Sequence, residues 1–389
     1  MKCIKGISCV FIASAFVLSL QSCNGRQTKH DTPTNETRTE VLKELSYTYN
    51  FYIENSGSVK GYFYGNSNDA EVIIKEFYDR IDEQLKPNEK ITLNYINNTI
   101  IHQNVSIDKW LNASYSNCNA KYSDLDQVLE QTLKNTDNKT VNFVVSDYCF
   151  ESREGDLRKA QSGITKIFTK ALNDNKDLSV SIYKYEASFN GYYFPGRIKF
   201  NGNRPLYLWI FGPSAALRKI SKLNTTQLRE SELYLQSHKS FNAKVITNNK
   251  RMSRDGSYIN VKDWDNDRHQ ADLFKANLKV KMNNIMLPKS AITNIDNYRV
   301  TPNNFYIEDI QYDADGEYIY TIATNHPSPC SLKINYTLDI PKWVQLSNFE
   351  QNTLPKDSTT YGIKYLIEGV ADAYKNQNLN IFDVNLILK

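Results

Sequence analysis

Histidine is scarce in this 389-residue chain, with five scattered copies, His30, His102, His238, His269 and His326, and no HExxH among them. Six cysteines include no C-x-x-C pair, which argues against a zinc site. There is no G-x-S-x-G, no P-loop and no G-x-G-x-x-G, so the common hydrolase, nucleotide and dinucleotide signatures are missing. Net charge is small, with 47 Lys and Arg against 43 Asp and Glu. Since no basic run alternates with aromatics, nucleic acid is not an expected partner. Long apolar runs are absent beyond the first two dozen residues. The chain is instead rich in tyrosine, at 26 copies, a composition of β-rich structure and of adhesive surfaces.

That one apolar run is a targeting segment. Lys2 and Lys5 precede the core Ile7–Leu20, which is short for a membrane span. It ends Leu20-Gln21-Ser22-Cys23, which resembles the lipobox of bacterial lipoproteins. The resemblance implies a signal peptide over 1–22 and acylation at Cys23, with each buried CH₂ adding about 0.8 kcal/mol of membrane affinity. Residues 23–45 are polar and read as a tether. No acidic residue directly follows Cys23, which favours the periplasmic face of an outer membrane, surface exposure being the alternative.

The remaining roughly 345 residues suit two domains better than one. Over 46–223, strand-like and helical patterns alternate. Strands are expected at Thr48–Ile53, Lys90–Ile96, Thr140–Val145, Leu178–Glu186 and Pro205–Phe211, and helices at Asp69–Leu85, Ser123–Lys134, Asp156–Asn173 and Ser214–Leu223. The stretch carrying Trp110 and Tyr115 reads as irregular, and 224–240 as a helical or irregular connection. This is the pattern of an α/β fold with a doubly wound, mostly parallel sheet. Over 241–389 the period becomes two, at Ala276–Met282, Phe305–Tyr312, Glu317–Ala323, Ser331–Leu338 and Ile381–Leu388, with a hairpin turn at Asp313–Gly316 and one late helix, Tyr361–Tyr374. A C-terminal antiparallel β-sandwich-like domain follows from it. Cys118, Cys149 and Cys330 remain in the mature chain, and a Cys118–Cys149 bridge is open in an oxidising compartment.

Three segments carry oxygen ligands. The first strand ends in Glu54-x-Ser56-x-Ser58, Ser123 stands before a helix, and Asp147 closes Phe143-Val144-Val145-Ser146. In an open α/β sheet such strand-end loops are where ligands bind. Carboxylate and hydroxyl oxygens suit Mg²⁺ or Ca²⁺. Ser123 with Asp126 three residues on serves equally as a helix N-cap, worth about 1 kcal/mol without metal. In this order the segments resemble the von Willebrand factor type A domain over roughly half the mature chain. That family holds a divalent cation with an Asp-x-Ser-x-Ser loop, a Thr before a helix and an Asp ending the fourth strand. The resemblance implies Ser56 and Ser58 as direct ligands and Ser123 in the place of Thr. Asp147 and Glu54 would hold the ion directly or through water. Glu54 is longer than the family's Asp, and Ser123 lacks the methyl that fixes χ1.

The expected function is that of a lipid-anchored, extracytoplasmic binding or adhesion protein, not an enzyme. Its site would hold a divalent cation, Mg²⁺ by preference, and accept an acidic residue of a protein partner. The alternatives are a metal-free scaffold subunit of an envelope complex, which Glu54 favours, and a metal-dependent envelope hydrolase with Glu54 or Glu151 as general base. Asp263-Trp264-Asp265-Asn266-Asp267 begins like a calcium loop, but Arg268 takes the place of the required Gly and Phe274 that of the closing Glu.

Overall fold

The computed structural model describes residues 46–389 apart from 66–67, 122–123, 151–155, 194–196, 224, 226–228, 238, 247–252, 262–272, 338, 351–357 and 377–381. Residues 45–389 form one compact unit. Strand β1 (Thr48–Glu54) leads through a short 3-10 helix, Val59–Phe63, into α1 (Asp69–Asp82). Then come β2 (Lys90–Ile96), β3 (Ile100–Gln103), α2 (Ile107–Asn117), α3 (Leu125–Lys134), β4 (Thr140–Ser146) and α4 (Leu157–Asp174). A long hairpin, β5 (Leu178–Tyr193) and β6 (Ile198–Pro213), is followed by α5 (Ser214–Ser221) and β7 (Ser231–Leu235). These strands form one seven-stranded mixed sheet in the order β3-β2-β1-β4-β6-β5-β7.

Only the centre, β2-β1-β4, is parallel. The other pairs are antiparallel, so the expectation of a mostly parallel sheet holds for the strands around β1 and not for the sheet as a whole. The cause lies in β5 and β6. Leu178 pairs with Pro213 and Tyr193 with Ile198, an unbroken hairpin twice as long as its apolar halves suggest. Its outer half is polar (Lys199, Asn201, Asn203), so periodicity ends before the strand does. Two further elements differ from expectation. The Trp110 stretch is the helix α2, whose buried stripe Ile107, Trp110, Leu111 and Ser114 hides behind a polar member. The stretch read as a connection contributes β7, the edge strand beside β5.

The sheet is covered on both faces. Phe51, Ile53, Val141, Phe143 and Val145 cluster with α1, α2 and α5, whereas Tyr52 and Val144 cluster with α3 and α4. The period-two alternation of β1 and β4 sends successive side chains to opposite layers. Phe51 stacks on Phe143 across the parallel pair, with centroids 4.4 Å apart.

The rest of the chain adds β8 (Lys239–Asn242), β9 (Lys244–Val245), β10 (Tyr258–Ile259), β11 (Phe274–Lys281), α6 (Lys289–Ile292), β12 (Tyr298–Thr301), β13 (Tyr306–Tyr312), β14 (Glu317–Thr324) and β15 (Cys330–Tyr336). It closes with α7 (Lys342–Leu346), β16 (Asn348–Phe349), β17 (Thr360–Tyr361), α8 (Ile363–Asn376) and β18 (Phe382–Leu388). Besides the short pair β16-β17, two larger sheets result, β10-β18-β15-β12 with β8 beside β18, and β13-β14-β11-β9. Their apolar faces share one cluster, and the Tyr298 and Tyr320 hydroxyls meet at 3.1 Å between them. The expected turn joins β13 to β14, with Asp315 and Gly316 at positive φ as a tight hairpin requires. Helix α8 packs on α4, where Gly369 lets the two backbones approach. The C-terminal part therefore continues the core on the α3/α4 side. Among the described residues no helix is long and apolar enough to cross a membrane.

Candidate cation site at the sheet edge

Parallel strands β1 and β4 end side by side, so the loops that follow them emerge together. In the first loop the Ser56 and Ser58 hydroxyl oxygens are 2.9 Å apart. The loop is braced from the chain after α2. Ala120 N–H donates to the Asn55 carbonyl and Gly57 N–H to the Ala120 carbonyl, each at 3.0 Å. This pairing brings a third segment to the same edge. Ser123, three residues further, lies outside the described residues. Helix α3 is capped by Asp124, whose carboxylate accepts from Gln127 N–H at 3.4 Å, so the cap expected of Ser123 falls to its neighbour.

Asp147 follows β4 and is 2 % exposed. Its Oδ1 accepts from the Cys149 N–H at 3.1 Å, and between them Tyr148 takes a left-handed φ of 47°. A non-glycine residue pays for that conformation and needs its surroundings to hold it. Here the Tyr148 ring stacks on Trp209 at 4.3 Å, and its N–H donates to Ser146 Oγ at 2.8 Å. Burial pushes the Asp147 carboxyl above its usual range. The Arg204 charge opposes this most, followed by the Cys149 N–H and the Ser58 hydroxyl. Ser56, Ser58 and Asp147 thus converge on one place.

Glu54 is directed elsewhere. By strand alternation it shares a face with Tyr52, and it is 1 % exposed. Its Oε2 accepts from Ser146 Oγ at 2.8 Å. Burial, and after it the Glu54 charge, raises the Tyr148 phenol and the Cys118 thiol above their ordinary values. Cys118 Sγ lies 3.8 Å from the Glu54 carbonyl oxygen. Cys118 and Cys149 form no disulfide, so the bridge left open by the sequence is not formed. Cys118 is buried at the C-terminal end of α2 and Cys149 in the chain that follows β4.

Sequence reasoning missed Arg204. It precedes the apolar run of β6, among Asn201, Gly202, Asn203 and Pro205, where it reads as a solvated loop residue. In the fold it is 2 % exposed. Its guanidinium carbon lies 3.9 Å from the centre of the Tyr193 ring, with Phe189 and Phe200 at 5.5 and 5.9 Å. The only hint was an arginine directly before a buried strand.

An exposed aromatic pair joins the chain after the serine loop to α2. Tyr64 and Tyr115 are exposed, with centroids 5.4 Å apart, and Lys60 Nζ sits 4.3 Å over the Tyr115 ring. Two Oγ atoms and a carboxylate are hard donors. Ligands bound about 2.1 Å from Mg²⁺ at right angles lie about 3.0 Å from one another. The Ser56–Ser58 separation fits such an edge without rearrangement. Among the described residues no group of three or more His, Cys, Asp and Glu is placed to hold a metal, so soft or purely acidic centres have no counterpart here. Glu151 and the Asp263–Asp267 loop lie outside the described residues.

Comparison of the chain with protein-family models, curated proteins and solved structures finds no match.

Proposed function

We propose that this chain is a lipid-anchored, extracytoplasmic binding protein. Its α/β part, similar to a von Willebrand type A domain, would present a Mg²⁺-class cation at Ser56, Ser58 and Asp147. Cys23 would carry the anchor at the bacterial envelope, and the sandwich-like C-terminal sheets would support the α/β part. One observation carries the cation reading: two hydroxyls 2.9 Å apart beside a buried carboxylate, contributed by separate strand ends. Their convergence does not follow from local sequence. Ser123 would complete the set from the third segment. A carboxylate of a protein partner would be the final ligand, and the exposed Tyr64/Tyr115/Lys60 group would add to the contact. Aromatic side chains are among the residue types enriched where proteins bind one another.

The experiment is a thermal-unfolding series on the full chain in detergent with Mg²⁺, Mn²⁺ and Ca²⁺. A ligand that binds only the folded state adds about 1.4 kcal/mol at ten times its Kd. Wild type should gain stability with millimolar Mg²⁺ or Mn²⁺, and Asp147→Ala should fold but lose that gain. Indifference of wild type to all three ions would end the cation reading and promote a metal-free scaffold. That second reading has its own support in the Ser146 hydroxyl on Glu54 and in the Arg204 charge beside Asp147. A hydrolase would need a general base aimed at the site, and Glu54 is hydrogen-bonded on the other side of the strand end.

A further inference from the structure

We propose that Arg204 is the resident counter-ion of Asp147, and that it competes with a divalent cation for the Ser56/Ser58/Asp147 site and sets how tightly that site holds metal. The proposal rests on the cation reading above.

The topology puts the two groups together. In the β4–β6 pair Ser146 lies opposite Tyr207, so the chain leaving β4 through Asp147 runs towards Leu206, Pro205 and Arg204. The serine loop is fastened at the same place, because the Tyr62 hydroxyl, four residues after Ser58, donates to the Pro205 carbonyl at 2.5 Å. Arg204, Asp147 and the serine loop therefore share one corner, although Arg204 comes from a strand that ordinary reading of the motif ignores.

Burial gives Arg204 its electrical role. A guanidinium cannot shed its charge, so an almost fully buried one must be compensated by its surroundings. None of its three nitrogens makes a hydrogen bond of normal geometry among the described residues. Aromatic faces supply part of the compensation, and Tyr193, Phe189 and Phe200 wall it in. Those rings carry no net charge. Asp147 does, and among the influences on its carboxyl Arg204 is the largest that favours ionisation. In turn Asp147 is the nearby carboxylate that acts on Arg204. No direct ion pair joins them among the described residues, so the carboxylate keeps room for another partner. A divalent ion taking that room would meet a fixed positive charge held by the protein.

The test is a Mn²⁺ titration of the full chain in detergent, with free Mn²⁺ read by its electron paramagnetic resonance signal. Arg204→Met removes the charge at similar volume and should tighten Mn²⁺ roughly tenfold or more. The gain should vanish in Arg204→Met/Asp147→Asn. In Arg204→Ala, millimolar guanidinium should weaken Mn²⁺ again while isosteric urea does not, an effect that packing alone would not produce. A wild type that binds no Mn²⁺ beside an Arg204→Met that does would end the cation reading of the native chain and this proposal with it. If wild type binds and Arg204→Met binds no tighter, the counter-ion role is overturned while the cation site stands. Binding by neither would overturn both. Should Arg204→Met, Arg204→Gln and Arg204→Ala all fail to fold by circular dichroism, Arg204 belongs to the architecture and the proposal falls.

Discussion

Gly61→Ala is the substitution that most directly tests how the serine loop is seated. Gly61 lies in the short helix after Ser58, and a Cβ built there would stand 2.5 Å from Phe189 Cζ and against the neighbouring ring carbons. Ordinary carbon contacts begin near 3.5 Å, so something must give by about 1 Å. Phe189 has little freedom. It is 2 % exposed, its ring meets Tyr62 edge-on at 4.9 Å, and its other face looks towards Arg204. Gly191 lies on the far side of the same contact, where its own Cβ would come within 2.9 Å of the Gly61 Cα. The loop itself must then move.

Overpacking of this kind costs about 1–3 kcal/mol. Replacing Gly by Ala returns about 0.4–1 kcal/mol through the unfolded chain. The net expectation is a loss of about 1–2 kcal/mol, read from the midpoint of urea unfolding at unchanged slope. Phe189→Leu should cost stability by itself yet lessen the effect of Gly61→Ala. The double variant would then fall short of the summed losses by about 1 kcal/mol. Strict additivity, or a Gly61→Ala variant as stable as wild type, would refute the claimed contact and the seating of Ser58 that depends on it.

Two further predictions concern the α3/α4 layer. Asp126 on α3 is pressed against α4, where a Cβ on Gly163 would meet its Oδ2 at 3.2 Å; burial, then the Asp124 charge, pushes its carboxyl up to about 6. A folded-state value above the unfolded one makes ionisation destabilising, so stability is lost as pH rises from about 4 to 6. Asp126→Asn should therefore stabilise at pH 7, by about 1 kcal/mol once its partial exposure is allowed for, and do little at pH 4. An equal gain at both pH values in thermal melts would contradict this. Gly369→Ala should force α8 off α4, since the new Cβ would come 2.7 Å from the Gln161 carbonyl and 2.9 Å from Ile164 Cβ. A loss of about 1–3 kcal/mol in urea unfolding is expected, and an unchanged midpoint would show that the helices are not in contact.

How much of this could be read in advance depends on whether the signal was local. The central strands were legible because Tyr49–Ile53 and Val141–Val145 are apolar on both faces, as strands between two helical layers must be. Helices α1, α3 and α4 were legible from unbroken stripes such as Leu125, Val128, Leu129, Thr132 and Leu133. The hairpin β5–β6 was not, because its outer half is amphipathic only weakly and its pairing is fixed by the partner strand. Nor was α2, whose buried face includes Ser114 satisfied by the Trp110 carbonyl at 3.0 Å. At the site, Ser56, Ser58 and Asp147 stood out as strand-end oxygens. Arg204 did not, since Asp147 is 57 residues away in sequence and Arg204 lies on a strand whose register no local pattern reports. Strand-end motifs show the donors of a site, while the counter-charges come from whichever strand the topology lays beside them.

That distinction bears on which reading of the edge is favoured. The Asp147 carboxylate is buried in this corner with the Arg204 charge, while Glu54 is hydrogen-bonded on the other side of the strand end. Buried charge without compensation is costly, and the protein has two ways to supply it: a proton on a carboxylate or a cation from outside. Burial raises the Asp147 carboxyl, which favours the first route, and the Arg204 charge opposes it. The second is open only where oxygen donors are arranged around the carboxylate, which is what Ser56 and Ser58 do and what Ser146, turned to Glu54, does not. On the proposed cation reading, one arginine beside one buried carboxylate would lower the affinity for metal, and that affinity could be altered by displacing a single side chain.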